Sequence, residues 1–228
     1  MLDGVRVPDG HVVEAAYKEP LDLLLTAPEF EYSRRLRRIT TVVSPQTLSE
    51  ADRRLVAGWA ADCAERVLGL FEAEAQKDDR PRVAIARARA FARGELKTAD
   101  GIRRRFVGGV PANDVKDPAA AAAARAAGQA VAVCHMGAHA LGAAAYAIKA
   151  VGLAAPDRPE AAGDEIRWQL THMSTEVRTA LRALPSVGQN RSGPLGPGLL
   201  SSGQLGTIIR DLQTGVTLPD QGRRTSTS

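Results

Sequence analysis

Two histidines, His135 and His139, stand four residues apart inside Ala119–Ala150, a stretch that contains no proline and no acidic residue. Residues four apart share one face of an α-helix, so this spacing predicts two imidazoles side by side on a single continuous helix. Such a pair can approach one metal ion or one anionic group. Tyr146 follows His139 by seven residues and extends the same face as a polar seam. Metalloprotease chemistry needs a glutamate directly after the first histidine, and Met136 and Gly137 stand there instead, so no metal is expected. A third ligand would have to come from a later helix, where Glu165, Gln169, His172 and Glu176 lie along one face. The alternative is structural: both imidazoles hydrogen-bond to buried backbone or to carboxylates such as Asp78 or Asp79 and stitch helices together.

Asp78-Asp79-Arg80-Pro81-Arg82 is the second concentration of polar groups. Adjacent carboxylates beside arginines can form an acid/base site or orient a histidine. More simply, Asp79 caps a helix while Arg80 and Arg82 pair with acids on neighbouring helices. Were the chain an enzyme, His135 would serve as acid/base, His139 would bind or orient, and Asp79 or Arg80 would steer an anionic substrate. Arg80, Arg82, Tyr146, Trp168 and His172 are the candidate ligand-binding residues. No phosphate loop, nucleophile elbow or cysteine–histidine pair at a recognisable spacing accompanies them, and no cofactor is expected.

These residues must be held by helices. Hydrophobic residues make up 44% of the 228 residues and aromatics only 4%, so Ala, Val, Leu and Ile fill the core and favour close helix packing. The expected fold is all-α, a single bundle of about five main helices, with an irregular lead-in over 1–47, a helical domain over 48–184, and a flexible linker, short helix and tail over 185–228. The first main helix runs from about Ser49 to Glu74, with Leu55, Trp59, Cys63, Val67 and Phe71 as its apolar stripe. Pro81 sits in the first turn of a second helix that stops at Gly94. Asp117 and Pro118 open the histidine helix, which Pro156 closes, and a last long helix spans about Glu160–Leu184. Two weakly helical pieces are expected at 12–25 and 29–39, and a short basic segment at 98–107. The Pro-, Gly- and Ser-rich 186–203 reads as linker, and Ser202–Leu212 as an amphipathic helix bearing Leu205, Ile208, Ile209 and Leu212.

The net charge is +4, carried mainly by arginine, with clusters at 34–38, 103–105 and 223–224. Arginine forks suit phosphate. No aromatic stacking platform is interleaved with them, so they read as solvated helix faces, and nucleic acid is not the expected partner. Cys63 and Cys134 are the only cysteines and form neither a disulfide framework nor a metal knuckle. The start of the chain lacks the pattern of a signal peptide, and charged or polar residues interrupt the alanine-rich run. No membrane association and a cytoplasmic setting are therefore expected.

Four blocks in order complete the sequence reading: Trp59–Leu68, Asp79–Ile85, Ala90–Glu95, and a closing block from Ala124–Ala130 through His135–His139 to Tyr146–Lys149. Together they resemble the helical "putative immunity protein" family of bacterial polymorphic toxin systems, over residues 48–184. The resemblance implies a protein that binds and neutralises a toxin, without cofactor or turnover. The residues themselves leave open a small helical enzyme of specialised metabolism acting on a small-molecule ligand, and a nucleic-acid-associated protein acting through its arginines. Small-residue helix faces and a tethered apolar helix also allow a homodimer.

Overall fold

The computed structural model describes residues 44–96 and 111–218. Within them lie seven α-helices and two short 3-10 turns, with no strand, so the all-α expectation holds. The helices are α1 (Glu50–Glu74), α2 (Arg80–Ala92), α3 (Pro118–Ala132), α4 (His139–Ala154), α5 (Ala161–Thr171), α6 (Thr175–Arg182) and α7 (Gly203–Thr217). The helical pieces expected at 12–25 and 29–39, the basic segment 98–107 and the arginine clusters at 34–38, 103–105 and 223–224 lie outside the described residues.

Helix α1 is the central pillar, packed against α2, α3, α4 and α6. Ser49 caps it: the hydroxyl accepts from Asp52 N at 3.1 Å and donates to the Asp52 carboxylate at 2.6 Å. A helix surrounded on several sides buries more than one stripe. Trp59, Cys63, Val67 and Phe71 are buried as expected, together with Val56, Ala57, Ala60, Ala61 and Ala64. Leu55, assigned to the stripe, is instead 41% exposed, because Val56 takes the inward place one residue on. Helix α2 ends in Gly94 at φ +82°, the left-handed conformation that glycine adopts without strain. Helix α3 opens on the Asp117 carboxylate, which accepts from Ala119 N at 3.1 Å and Ala120 N at 3.2 Å, with Pro118 in the first turn. Glu74 at the end of α1 ties the same start, accepting from Lys116 N and Asp117 N. The α3–α4 pair is then welded by buried alanines from Ala119 to Ala130 and from Ala140 to Ala150, whose lack of side-chain bulk lets the backbones come close.

Two expected long helices are each broken in two. The histidine helix stops at Ala132 and restarts at His139, so His135 lies in a corner and does not share a helix with His139. Long-range hydrogen bonds compensate for the helical ones given up there. Gly137 N donates to Thr47 O and Ala138 N to Gln46 O, both at 3.0 Å. The buried Arg53 donates from Nε to Cys134 O at 3.1 Å and from Nη1 to Leu48 O at 2.9 Å. A side chain at Gly137 would overlap that of Leu48, itself held at φ +60°, so the segment before α1 and the corner are fitted to each other. The last helix divides at 172–174. Thr171 Oγ1 bonds back to Arg167 O and Trp168 O, and Ser174 caps α6 by accepting from Val177 N at 3.2 Å.

The stretch read as a linker is folded against the body. Leu195 is fully buried, and Gln46, 1% exposed, donates to Ser192 O at 2.7 Å and accepts from Leu195 N at 2.9 Å. Helix α7 buries Leu205, Ile208, Ile209 and Leu212, the four apolar positions expected of it, against α4, α5 and α6. Arg178 secures two helix ends at once, donating to Gly215 O at 2.9 Å on α7 and to Leu170 O at 2.9 Å on α5. Arg182 adds a bond to Val216 O at 2.8 Å. Cationic side chains at carbonyl-rich helix ends are favoured both as donors and by the helix dipole.

Candidate functional site

The corner between α3 and α4 opens onto a cleft of about 430 Å³. One side is built by Gln129 from the last turn of α3, His135 and Met136 from the corner, and His139 and Tyr146 from α4. The other side is the folded C-terminal segment: Gly193, Pro194, Gly198, Leu199 and Leu200. The imidazole rings of His135 and His139 lie with centroids 4.9 Å apart and planes tilted by 50°. The two histidines meet as their spacing suggested, but the corner brings them together and a shared helix face does not.

His139 Nδ1 is 2.7 Å from Gln129 Oε1. An amide oxygen only accepts, so with this amide orientation Nδ1 carries the proton and Nε2 is the basic nitrogen of the neutral ring. Gly142 makes room for the pairing: a Cβ there would sit 2.5 Å from Gln129 Oε1 and 3.0 Å from Leu200 Cδ1. Burial pushes the Tyr146 hydroxyl above its ordinary pKa, with the positive charge of Arg125 pulling the other way, so Tyr146 is a neutral phenol at physiological pH. Among the described residues no aspartate or glutamate lines the cleft. Both histidines are half-buried.

The remaining candidates fall elsewhere. Asp79 precedes α2 but makes no side-chain cap; the neighbouring Asp78 accepts from Arg80 N at 3.1 Å. Arg80 bridges Asp78 at 2.5 Å and Asp114 at 2.6 Å, and that bonding holds the Asp78 carboxyl below its ordinary pKa. Arg82 pairs with Glu72 at 2.7 Å. Arg82 thus pairs with an acid on a neighbouring helix as expected, whereas the partners of Arg80 lie in the preceding turn and in the loop after the 3-10 turn Pro111–Asn113; Asp79, Arg80 and Arg82 are not among the described lining of the cleft.

Trp168 and His172 stack on each other with centroids 4.0 Å apart, beneath the Arg66 guanidinium 3.8 Å from the Trp168 ring. His172 is exposed and its Nδ1 lies 2.9 Å from Trp168 O, so it closes α5 and does not reach the other histidines' cleft. Nor does the anticipated third ligand arrive. Glu165, 3% exposed, is held by Arg66, and the fully buried Gln169 donates to Ala144 O at 3.3 Å and to Glu165 Oε1 at 3.1 Å. Among the described residues no group of three or more His, Cys, Asp and Glu is placed to hold a metal ion.

Gln129 is a cleft residue that the sequence reading passed over, as are Gly193, Pro194, Gly198, Leu199 and Leu200, which it took for linker. Gln129 is the one polar uncharged side chain in the alanine-rich run of α3, and that isolation was the available signal.

Fold and site together define an all-α bundle with a cleft, the size of a small ligand, at a helix corner, its far wall supplied by the C-terminal segment. A family model described as "Imm-5 like putative immunity protein" matches residues 46–176, more than half of the chain, and the protein belongs to that family. The match begins at Gln46, whose backbone and side chain secure the corner and the far wall, and ends at the first turn of α6. No curated protein and no solved structure matches the chain. Among the described residues no helix is long and apolar enough to cross a membrane.

Proposed function

We propose that this protein is the immunity partner of a bacterial toxin, binding a toxin domain and neutralising it by occupancy. The observation that carries this reading is the family match over residues 46–176, which takes in the pillar helix, the histidine corner and the α3–α4 pair. Neutralisation by binding needs a rigid scaffold and no chemistry, and the densely packed alanine core supplies such a scaffold. With a net charge of +4, the chain suits a toxin whose contact face is not itself strongly basic. The test is co-expression with toxin-like proteins encoded beside its gene. Restored growth together with a stable co-purified complex is the expected result, and a chain that neither rescues nor binds any of them overturns the reading.

The cleft favours a second reading, acid/base chemistry on a small molecule. Gln129 orients His139 through Nδ1, His135 exchanges the proton, and the Tyr146 hydroxyl donates a hydrogen bond. Incubation with bacterial metabolite extract, followed by mass spectrometry, tests it. A compound consumed by the native protein and spared by His135→Gln supports turnover; no compound consumed by either rejects it.

A further inference from the structure

The chain between α6 and α7 is gripped at two places by side-chain amides. A glutamine carries a donor and an acceptor side by side, so it can pair with a passing backbone much as a neighbouring strand would. Gln213 of α7 does this at the base of the segment: Nε2 donates to Pro185 O at 2.9 Å and Oε1 accepts from Val187 N at 3.0 Å. Gln46 does it in the middle, with Nε2 donating to Ser192 O and Oε1 accepting from Leu195 N. Anchoring by apolar side chains is uneven. Helix α7 buries Leu205, Ile208, Ile209, Leu212 and Val216, whereas between Gly188 and Ser202 the buried apolar side chains are Leu195 and Leu200. Several bonds inside that stretch close single turns, Gly196 N to Gly193 O at 3.0 Å and Ser201 N to Gly198 O at 3.1 Å, and Gly188 N donates to Leu195 O at 2.7 Å across its neck. An isolated turn fixes more dihedral angles than one bond repays, so these bonds last only while the stretch stays docked.

We infer that residues 188–202 form a strap that undocks from the corner as one cooperative unit, with Gln46 as its latch. Few buried apolar side chains are the mark of a segment that opens below the free energy of global unfolding. Its two junctions, Gly188 at φ +86° and Gly203 at φ +53°, have open space where a Cβ would stand. Closed, the strap supplies the far wall of the cleft; open, it lifts Leu200 from its place beside Gly142. The residue that latches the strap also fixes the histidine corner, since Ala138 N donates to Gln46 O. Strap and corner are nevertheless separable at that position, because one is held by the side chain and the other by the main chain. The inference concerns the movement of the wall and depends on neither reading of the function.

Amide hydrogen exchange, followed by NMR on the full chain, is the test. The N–H groups of Gly188, Leu195, Gly196 and Ser201 are expected to exchange through a common opening, with similar protection. That opening should depend less on urea than exchange at Ala144 and Ile148 in α4, because it exposes less surface. Gln46→Ala removes two hydrogen bonds and should speed all four strap amides at least about tenfold, leaving the α4 amides within about twofold. Gly193→Ala attacks the latch from the other side, since a Cβ there would stand 2.8 Å from the Gln46 amide, and should act in the same way with Gln46 intact.

A second readout follows from Leu200→Cys, which puts a thiol on the docked face of the strap. Its reaction with a thiol reagent should quicken by a similar factor when Gln46→Ala is added, while buried Cys63 stays unmodified. Acceleration of Leu195 alone, which loses its own acceptor, would reduce Gln46 to a local contact and overturns the strap. So do strap amides that exchange only with global unfolding, an equal acceleration of the α4 amides, and Leu200→Cys labelling that Gln46→Ala leaves unchanged.

Discussion

Two polar clusters sit in this alanine-rich bundle, and they are built to opposite rules. Around Glu165 the charged groups are turned onto one another, and of the buried polar atoms there Gln169 Oε1 is left without a hydrogen bond among the described residues. The carboxylate takes Arg66 Nε at 3.0 and 3.2 Å and Gln169 Nε2 at 3.1 Å, and Gln169 O takes the Trp59 indole N–H at 3.1 Å. Arg66 lies over Trp168, which stacks on His172, so the outer surface of the cluster is also covered. Around His139, by contrast, one amide orients one imidazole, and the rest of the group faces a cleft. The first cluster contains a charge that must be satisfied; the second lines a cleft of about 430 Å³. Polarity in the core therefore does not by itself mark function: one cluster holds helices α1, α4 and α5 together, and the other lines a cleft.

The largest expected effect comes from breaking the closed cluster. Arg66→Ala removes the cation from a carboxylate that is 3% exposed, which should cost about 3 kcal/mol by urea denaturation. The arginine side chain is itself 39% exposed, so water can partly replace it and the loss should fall at the lower end for a buried pair. Replacing both partners, as Arg66→Met with Glu165→Leu, should recover most of that loss, because the desolvation cost disappears with the charge. A double variant as unstable as the single one would mean that Glu165 serves through its bond to Gln169 and not through the ion pair.

Next in size is Gly142→Ala, about 1–2 kcal/mol, because the new methyl meets the Gln129 amide and Leu200. Its more telling consequence lies in the cleft. The Gln129 amide must leave His139, so the His139 ring resonances should change while those of His172 do not.

Cys63 gives a smaller, pH-dependent contrast. It is buried against Glu165, and desolvation, with that carboxylate adding to it, pushes its thiol well above the ordinary value of 9.0. A thiol of raised pKa favours the folded state below its unfolded pKa, and the advantage is lost as pH rises through the folded value. Stability should therefore fall as pH rises above about 9, and Cys63→Ala should flatten that slope even if it lowers stability throughout. In the folded protein at pH 8, thiol reagents should leave Cys63 unmodified until denaturant is added.

Where the cause of an element is local, its trace in the sequence is plain. Ser49 before α1, Asp117-Pro118 before α3, and the four apolar positions of α7 each carry their own explanation within a turn of chain. The break at 133–138 does not. Val133 and Cys134 give no stop signal, and what ends the helix is a set of bonds from Gln46, Thr47 and Arg53, more than 80 positions earlier in the chain. Gly137 was the local hint, and its meaning depends on Leu48 lying against it. The division at 172–174 was legible after all, since Ser174 is an ordinary capping residue. Taking the histidine helix as continuous hid the site's third member. On one helix, positions 129 and 139 would stand about 15 Å apart along the axis and on different faces, whereas across the corner they bond at 2.7 Å.

The smallest expected effect discriminates most sharply between the two clusters. If His135 and His139 stitched helices together, as one reading of the sequence had it, their removal would resemble loss of Arg66. The corner, however, is already held by main-chain bonds at Gly137 and Ala138 and by Arg53 at Cys134, none of which involves an imidazole. The bond from His139 to the neutral Gln129 amide is worth about 1 kcal/mol in net stability. His139→Ala and His135→Ala should each therefore shift the urea midpoint by no more than that amount, with the helical signal unchanged. Loss of about 3 kcal/mol at either position would place the histidines with Glu165 as structural ties and remove the contrast between the clusters. A small loss, set beside the large one at Arg66, would mean that the two imidazoles are not what holds the corner together.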